Sequence, residues 1–353
     1  MEERPIKEIE LERRKIYEKL ESIPCPESYN GKLPWLVQQQ IAGTNGVHYI
    51  DRIGKLKDYP RYELPVPKIK DGLMLDIGCG WGRWLVAGDE KGYIPVGLDL
   101  RMEFCLAAKQ TLKDSGKNGY VIAADLMEIP FKNNLFDLVW SFSVIQHTHK
   151  SRMLSCLAHI KRVLVAGGFT KLEFPNKNGL RNRSGPSKAY LNESEDFNSW
   201  VVRYYSVDEY KKIFKNIFGN FSYLTHSFLG IGVLKEDIKY VSLKNRLLCG
   251  LSLLGSLISK IFPSLNKISD SIYIQAVNDS STLDNLSLEK FYAAHRANPD
   301  NNLNIVHILQ CPITGESVDV TPCGNFVISS SQRFKYPIIN NVPIMIRSEN
   351  IKL

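Results

Sequence analysis

Apolar and polar positions change rhythm along the chain. Over residues 3–21, Ile9, Ile16 and Leu20 make a thin apolar stripe on a charged segment. Glu10 and Arg14 sit one turn apart there, which predicts an exposed helix. Residues 22–72 hold prolines and aromatics without a period and predict an irregular lead-in. From Leu73 onward, short apolar runs alternate with amphipathic stretches. Strands are expected over 73–77, 95–99, 120–125, 136–141 and 169–174. Helices are expected over 83–91, 103–114 and 150–164, the last ended by Gly167-Gly168. Ser206-Val207-Asp208-Glu209 has the capping-box pattern and opens a helix to about Ile217. Residues 221–229 and 271–277 supply a sixth and a seventh strand.

Strands that alternate with helices require right-handed crossovers and a parallel sheet. The expected fold is α/β: a doubly wound, mostly parallel seven-stranded sheet over residues 73–278. A helical and irregular extension (1–72) precedes it. A polar linker (279–304) and a small β-rich unit (305–353) follow.

Composition changes this picture little. The chain has 353 residues, 44% hydrophobic and 23% charged, which is ordinary for a globular protein. Its net charge of +8 permits an anionic partner, nucleic acid or an acidic membrane surface, without requiring one. The charged N-terminus has no apolar core of the signal-peptide kind. Seven scattered cysteines without a CxxC pair read as reduced thiols. No apolar run reaches the roughly 18 residues of a membrane span. A cytoplasmic protein is expected. Leu247 to Phe262 is largely apolar, flanked by Lys244, Arg246 and Lys260. It reads either as a helix packed over a cleft or as a peripheral contact with the inner membrane face.

Candidate chemistry concentrates at the strand ends. Leu75-Asp76-Ile77-Gly78-Cys79-Gly80-Trp81-Gly82 places alternate glycines after a strand, so the backbone can turn tightly and approach a ligand. Position 83 is Arg, so the third glycine of a dinucleotide fingerprint is missing. Asp99, after the second strand, suits a ribose diol. Asp125, after the third, suits an exocyclic adenine amine, with the Leu126 amide beside it for a ring nitrogen. Each acid alone also serves as a helix cap. His147, in the loop after the fourth strand, is the candidate general base, and also reads as a packing histidine. Arg181, Arg183 and Tyr190 read either as contacts for an anionic substrate or as parts of a solvated loop.

These motifs, LDIGCGWG, VGLDL, AADL with IPF, FDLVWSFSVIQHT and LVAGGFTKLEFPN, resemble in order and spacing the core of class I S-adenosylmethionine-dependent methyltransferases. The resemblance implies S-adenosyl-L-methionine as cofactor. It places Asp76, Gly78, Cys79, Gly80 and Gly82 near the methionine moiety, Asp99 on the ribose, Asp125 on the adenine and Ser141 at the mouth of the fourth strand, with Leu100 and Leu126 also among the cofactor-binding residues. Cys311-Pro312 and the Tyr336–Ile344 segment resemble a small zinc-ribbon-like domain related to a methyltransferase activator subunit. Its four cysteine positions fall on Cys311, Thr314, Ser329 and Gln332, so no structural zinc is expected. Packing by Ile338, Val342, Ile344 and Ile346 must then hold that unit together.

Three functions stay open: a methyltransferase acting on an O or N nucleophile of a small molecule or lipid intermediate, one acting on RNA or protein, and a non-catalytic cofactor-binding partner module.

Overall fold

The structure, a computed structural model, describes residues 24–45, 47–184, 202–229, 234–240, 242–279, 285–347 and 351–352. The helix expected over 3–21 lies outside the described residues. No described helix is long and apolar enough to cross a membrane.

The elements are α1 (Trp35–Asn45), β1 (Gly72–Ile77), α2 (Arg83–Glu90), β2 (Tyr93–Asp99), α3 (Met102–Asp114), β3 (Tyr120–Ala123) and β4 (Phe136–Phe142). They continue with α4 (Lys150–Val163), β5 (Leu164–Pro175), α5 (Leu180–Ser184), α6 (Val207–Phe218), β6 (Phe221–Ser227), α7 (Leu243–Ile261), β7 (Ser271–Val277) and α8 (Asn285–Ala297). Strands β1 to β7 form one sheet in the order β3-β2-β1-β4-β5-β7-β6. Pairings β1–β2, β1–β4 and β2–β3 are parallel, and β6–β7 is antiparallel. This is the doubly wound α/β sheet expected from the alternation. Every residue of β1 and β2 is buried, which is why both read as continuous apolar runs rather than alternating ones. The capping box at α6 is formed as its sequence predicts, with Ser206 and Glu209 each accepting from the other's backbone N–H.

The chain divides into two compact units. One comprises Arg61–Ser141, Ser155–Thr170 and Val277–Leu353; the other comprises Met1–Pro60, Phe142–Leu154 and Lys171–Ala276.

Three expectations need correction. First, residues 22–72 are not irregular throughout, since α1 lies within them. Its buried face includes Gln38, Gln39 and Gln40 beside Val37 and Ile41, so no apolar period announces it. Gln38 belongs inside because its amide is used: its Oε1 accepts from Gly54 N and its Nε2 donates to Leu33 O. Second, α4 ends at Val163, before the glycine pair. Gly167 and Gly168 lie inside β5, where Gly167 takes φ 76° and a Cβ on Gly168 would sit 2.9 Å from Phe136 O. Third, the stretch expected as a polar linker forms α8. Phe291 anchors it, buried against Tyr120 at 5.1 Å.

The C-terminal residues form a small antiparallel sheet from β8 (Val318–Val320), β9 (Phe326–Ser329), β10 (Phe334–Ile339) and β11 (Val342–Pro343), with a last strand at Ile351–Lys352 paired to β10. Cys311 is buried there with its Sγ 3.2 Å from the Tyr336 hydroxyl. Val342 and Ile344 share a core with Cys105, Val121 and Ala123. Met345 N donates to Ala123 O at 2.7 Å. The Asn302 amide pairs with both backbone groups of Val121. Together these cover the open edge of β3, which would otherwise offer unpaired donors and acceptors. Ile344→Ala is therefore expected to lower the stability of the whole unit by about 2–4 kcal/mol. In urea, one transition should move to a lower midpoint. A separate early transition, with the main one unmoved, would mean that the tail folds alone.

Candidate functional site

The glycine turn follows β1. Gly78, Gly80 and Gly82 have φ of 72°, 52° and 89°, a left-handed path that side-chain-bearing residues rarely take. Gly78 N and Cys79 N donate to Leu98 O at 2.7 and 3.1 Å, which ties the turn to the end of β2. The Cys79 side chain is buried.

Asp99, the last residue of β2, faces the same turn. Its Oδ2 accepts from Gly80 N at 3.0 Å and its Oδ1 from Arg101 N at 3.1 Å. Burial pushes its pKa up to about 6, partly offset by those backbone donors. Leu100 beside it is exposed.

Asp76 is the unusual group. Its carboxylate is buried and neither oxygen has a hydrogen-bond partner. Burial pushes its pKa up to about 8, with Arg83 pulling the other way and Asp99 adding to the rise. An unpartnered buried carboxyl is costly unless a ligand completes it.

The sign of the pH effect follows. The folded-state pKa lies above the unfolded value, so the fold holds a proton that the unfolded chain releases. Stability contributed this way falls as pH rises from 3.8 through about 8. Asp76→Asn should flatten the fall in thermal midpoint between about pH 6 and about pH 8 in ligand-free protein. An unchanged slope would show that Asp76 is ionised in the fold.

Asp125 lies just past β3, half-buried, and its Oδ1 accepts from Met127 N at 2.9 Å as the cap of a short 3-10 turn over Leu126–Glu128. Ser141 pairs with Ile77 across the sheet, and its buried hydroxyl donates to Ile77 O at 3.0 Å. All the residues expected at the cofactor therefore fall in one unit. The sequence reading missed Tyr62. It comes from the lead-in and packs on Trp81 and Trp84, and Trp84 meets Trp140 edge-on at 5.0 Å.

In the other unit, His147 closes a 3-10 turn over Ile145–His147, and its carbonyl accepts from the Arg203 guanidinium at 2.7 Å. Arg203 N also donates to Gln146 O, so the loop is pinned at two points. Arg181 and Arg183 are exposed on α5. Tyr190 lies outside the described residues. Lys171 and Glu173 were not foreseen. Glu173 is buried and accepts from Ser143 Oγ at 2.6 Å. Lys171 is buried with Nζ 4.8 Å from the Tyr273 ring, and burial pulls its pKa down to about 8. Two charges at alternate positions of an apolar strand were the signal for this pair.

Comparison with known proteins places the match on the same stretch. Residues 74–168 match a family model described as a methyltransferase domain. An uncharacterized protein of Methanocaldococcus jannaschii is 27% identical over 150 residues, 42% of this chain and 58% of that protein. The bovine protein named Probable tRNA methyltransferase 9B is 30% identical over 114 residues, 32% of this chain and 23% of that protein. The chain thus spans less than two thirds of either relative. Phosphoethanolamine N-methyltransferase 2 of Haemonchus contortus, solved with S-adenosyl-L-methionine, is 23% identical. It covers 60% of this chain and 50% of its own, with a TM-score of 0.41. The match to a methyltransferase domain falls on the stretch that holds the glycine turn, Asp99 and Asp125, and supports S-adenosyl-L-methionine as the cofactor of that stretch.

Proposed function

We propose that this protein is an S-adenosylmethionine-dependent methyltransferase that moves a methyl group in line to an O or N nucleophile of a small-molecule or lipid-intermediate acceptor. The observation that carries the reading is the buried, unpartnered carboxyl of Asp76 ahead of three left-handed glycines, with Asp99 on the same turn. That arrangement suits a cationic ligand with a ribose.

The cofactor, when bound, supplies a methyl group already activated on a sulfonium. The protein's share is placement. Asp99 would accept the ribose hydroxyls, with Leu100 alongside. The backbone at Gly78, Cys79, Gly80 and Gly82 would admit the methionine end, where the carboxyl of Asp76 would give up its proton to pair with a cationic group of the ligand. Asp125 and the Leu126 amide would hold the adenine, and Ser141 would line the end of β4. Alignment of this kind is worth several kcal/mol. His147 would take the proton from a nucleophile that must lose one.

A second reading is an RNA or protein acceptor. It draws on the net charge of +8 and the similarity to the bovine tRNA methyltransferase 9B. We read the C-terminal sheet as an activator-like ribbon that apolar packing, not zinc, holds together. A non-catalytic partner module is the third reading.

One experiment separates them. Cell extract is incubated with the protein and methyl-labelled cofactor, then fractionated and analysed by mass spectrometry. Label in a small-molecule or lipid fraction is expected. Label in RNA or protein selects the second reading. Bound cofactor with no labelled product selects the third.

A further inference from the structure

Helix α7 packs inside out. Its inward positions are small or polar: Cys249, Ser252 and Ser259 are buried, and Ser256 and Gly255 are half-buried. Ser252 Oγ accepts from Phe228 N at 3.0 Å, and Ser256 Oγ donates to His226 O at 3.2 Å. Gly255 lies against the Phe228 ring, where a Cβ would come within 2.8 Å. The outward positions are the large apolar ones. Leu243, Leu247 and Ile261 are 82%, 69% and 73% exposed, and Leu251, Leu254 and Leu257 are exposed between them. Burying leucines is the ordinary driving force for helix packing. This helix leaves them out.

Two further facts select the occupant of that face. At 3.6 residues per turn, the exposed apolar positions run from Leu253 round to Leu251, an arc of about 160°. A helix-pairing seam needs only a narrow stripe, so a second helix would leave most of this arc wet. Along the chain here the exposed charge is of one sign, since the bordering acids are Glu236, ion-paired with Lys235, and the buried Asp237 and Asp270. Residues 238–269 contain Lys239, Lys244, Arg246, Lys260 and Lys267 and no aspartate or glutamate. Lys260 sits exposed beside Leu253 at one margin of the arc.

We propose that α7 is a peripheral anchor that lies in the surface of an anionic lipid bilayer, its leucine arc at the acyl boundary and its basic residues among the head groups. The helix lies in the membrane plane and does not span it. This anchor is independent of the methyltransferase reading, because it needs neither cofactor nor turnover.

The test is co-sedimentation of the full chain with vesicles of phosphatidylcholine alone, or of equal parts phosphatidylcholine and phosphatidylglycerol. The protein should pellet with the mixed vesicles, at least about tenfold more than with the neutral ones, and added salt should reverse this. The double variant Leu251→Glu, Leu254→Glu should lose at least about tenfold in partition, since each buried leucine is worth about that factor. Its thermal midpoint should match the parent's, because both side chains are exposed. Lys260→Glu, a milder change, should weaken binding to the mixed vesicles alone and decides the matter if the double variant does not fold. Failure to pellet with mixed vesicles would overturn the proposal. So would binding that the variants leave unchanged, or light scattering that shows a dimer dissociated by the same substitutions in protein that ignores vesicles.

Discussion

Replacing Asp99 by alanine is expected to weaken binding of S-adenosylmethionine by at least about a hundredfold. The estimate rests on two hydrogen bonds from ribose hydroxyls to a carboxylate, each worth about 1.5–3 kcal/mol in a buried site. Asp99 also organises the turn, since its two oxygens accept from Gly80 N and Arg101 N. The alanine variant therefore loses the ligand contacts and loosens the backbone that meets the ligand. Asp99→Asn keeps one acceptor oxygen and should lose only about tenfold. Isothermal titration of both variants checks the pair. Equal affinity for Asp99→Ala and the parent would remove Asp99 from the site.

Gly82→Ala should lower stability by about 2–5 kcal/mol, the sum of left-handed backbone strain and overpacking. Gly82 has φ 89°, and an added Cβ would lie 3.0 Å from the Ala108 Cα and 3.2 Å from its carbonyl oxygen. Backbone cannot swing aside as a side chain can, so α3 would have to move from the turn. In a thermal melt the midpoint should fall by about 5 °C or more. Gly116→Ala is the control. Its φ is 60°, but nothing lies within 4 Å of the new Cβ. It should show the strain alone and a smaller drop. Equal drops would mean that the close approach of α3 to the turn contributes nothing.

The core of the fold was legible because burial on both faces writes itself into β1 and β2 as near-continuous apolar runs, into β4 as a run interrupted by Asp137 and Ser141, and because glycines and acids mark where β1 and β2 stop. What escaped reading was polar burial. Helix α1 hides three glutamines, and α8 is fixed by one phenylalanine and a tyrosine–histidine contact, Tyr120 Oη to His295 Nδ1 at 2.7 Å. Helix α1 leaves no apolar period to detect; α8 carries one, Leu288, Phe291, Tyr292 and His295 at i, i+3, i+4 and i+7, broken up by the polar Ser287, Glu289 and Lys290. The C-terminal residues read as a separate unit because their own strands are short. Only pairing in space shows Ile344 and Met345 on the edge of β3. In the candidate site, the positions of Asp76, Asp99 and Asp125 were readable from strand ends. The orphaned state of Asp76 was not, since it depends on what fails to surround it. Lys171 and Glu173 were visible as charges in an apolar strand, but their burial and partners come from other strands and from Ser143.

The turn at Gly78–Gly82, with Asp76 and Asp99, is the proposed binding site for S-adenosylmethionine. Titration of the full chain with that cofactor in a calorimeter tests it most directly. Saturable heat with one equivalent bound is expected. Absence of any binding heat, in protein whose thermal melt shows it folded, would contradict it.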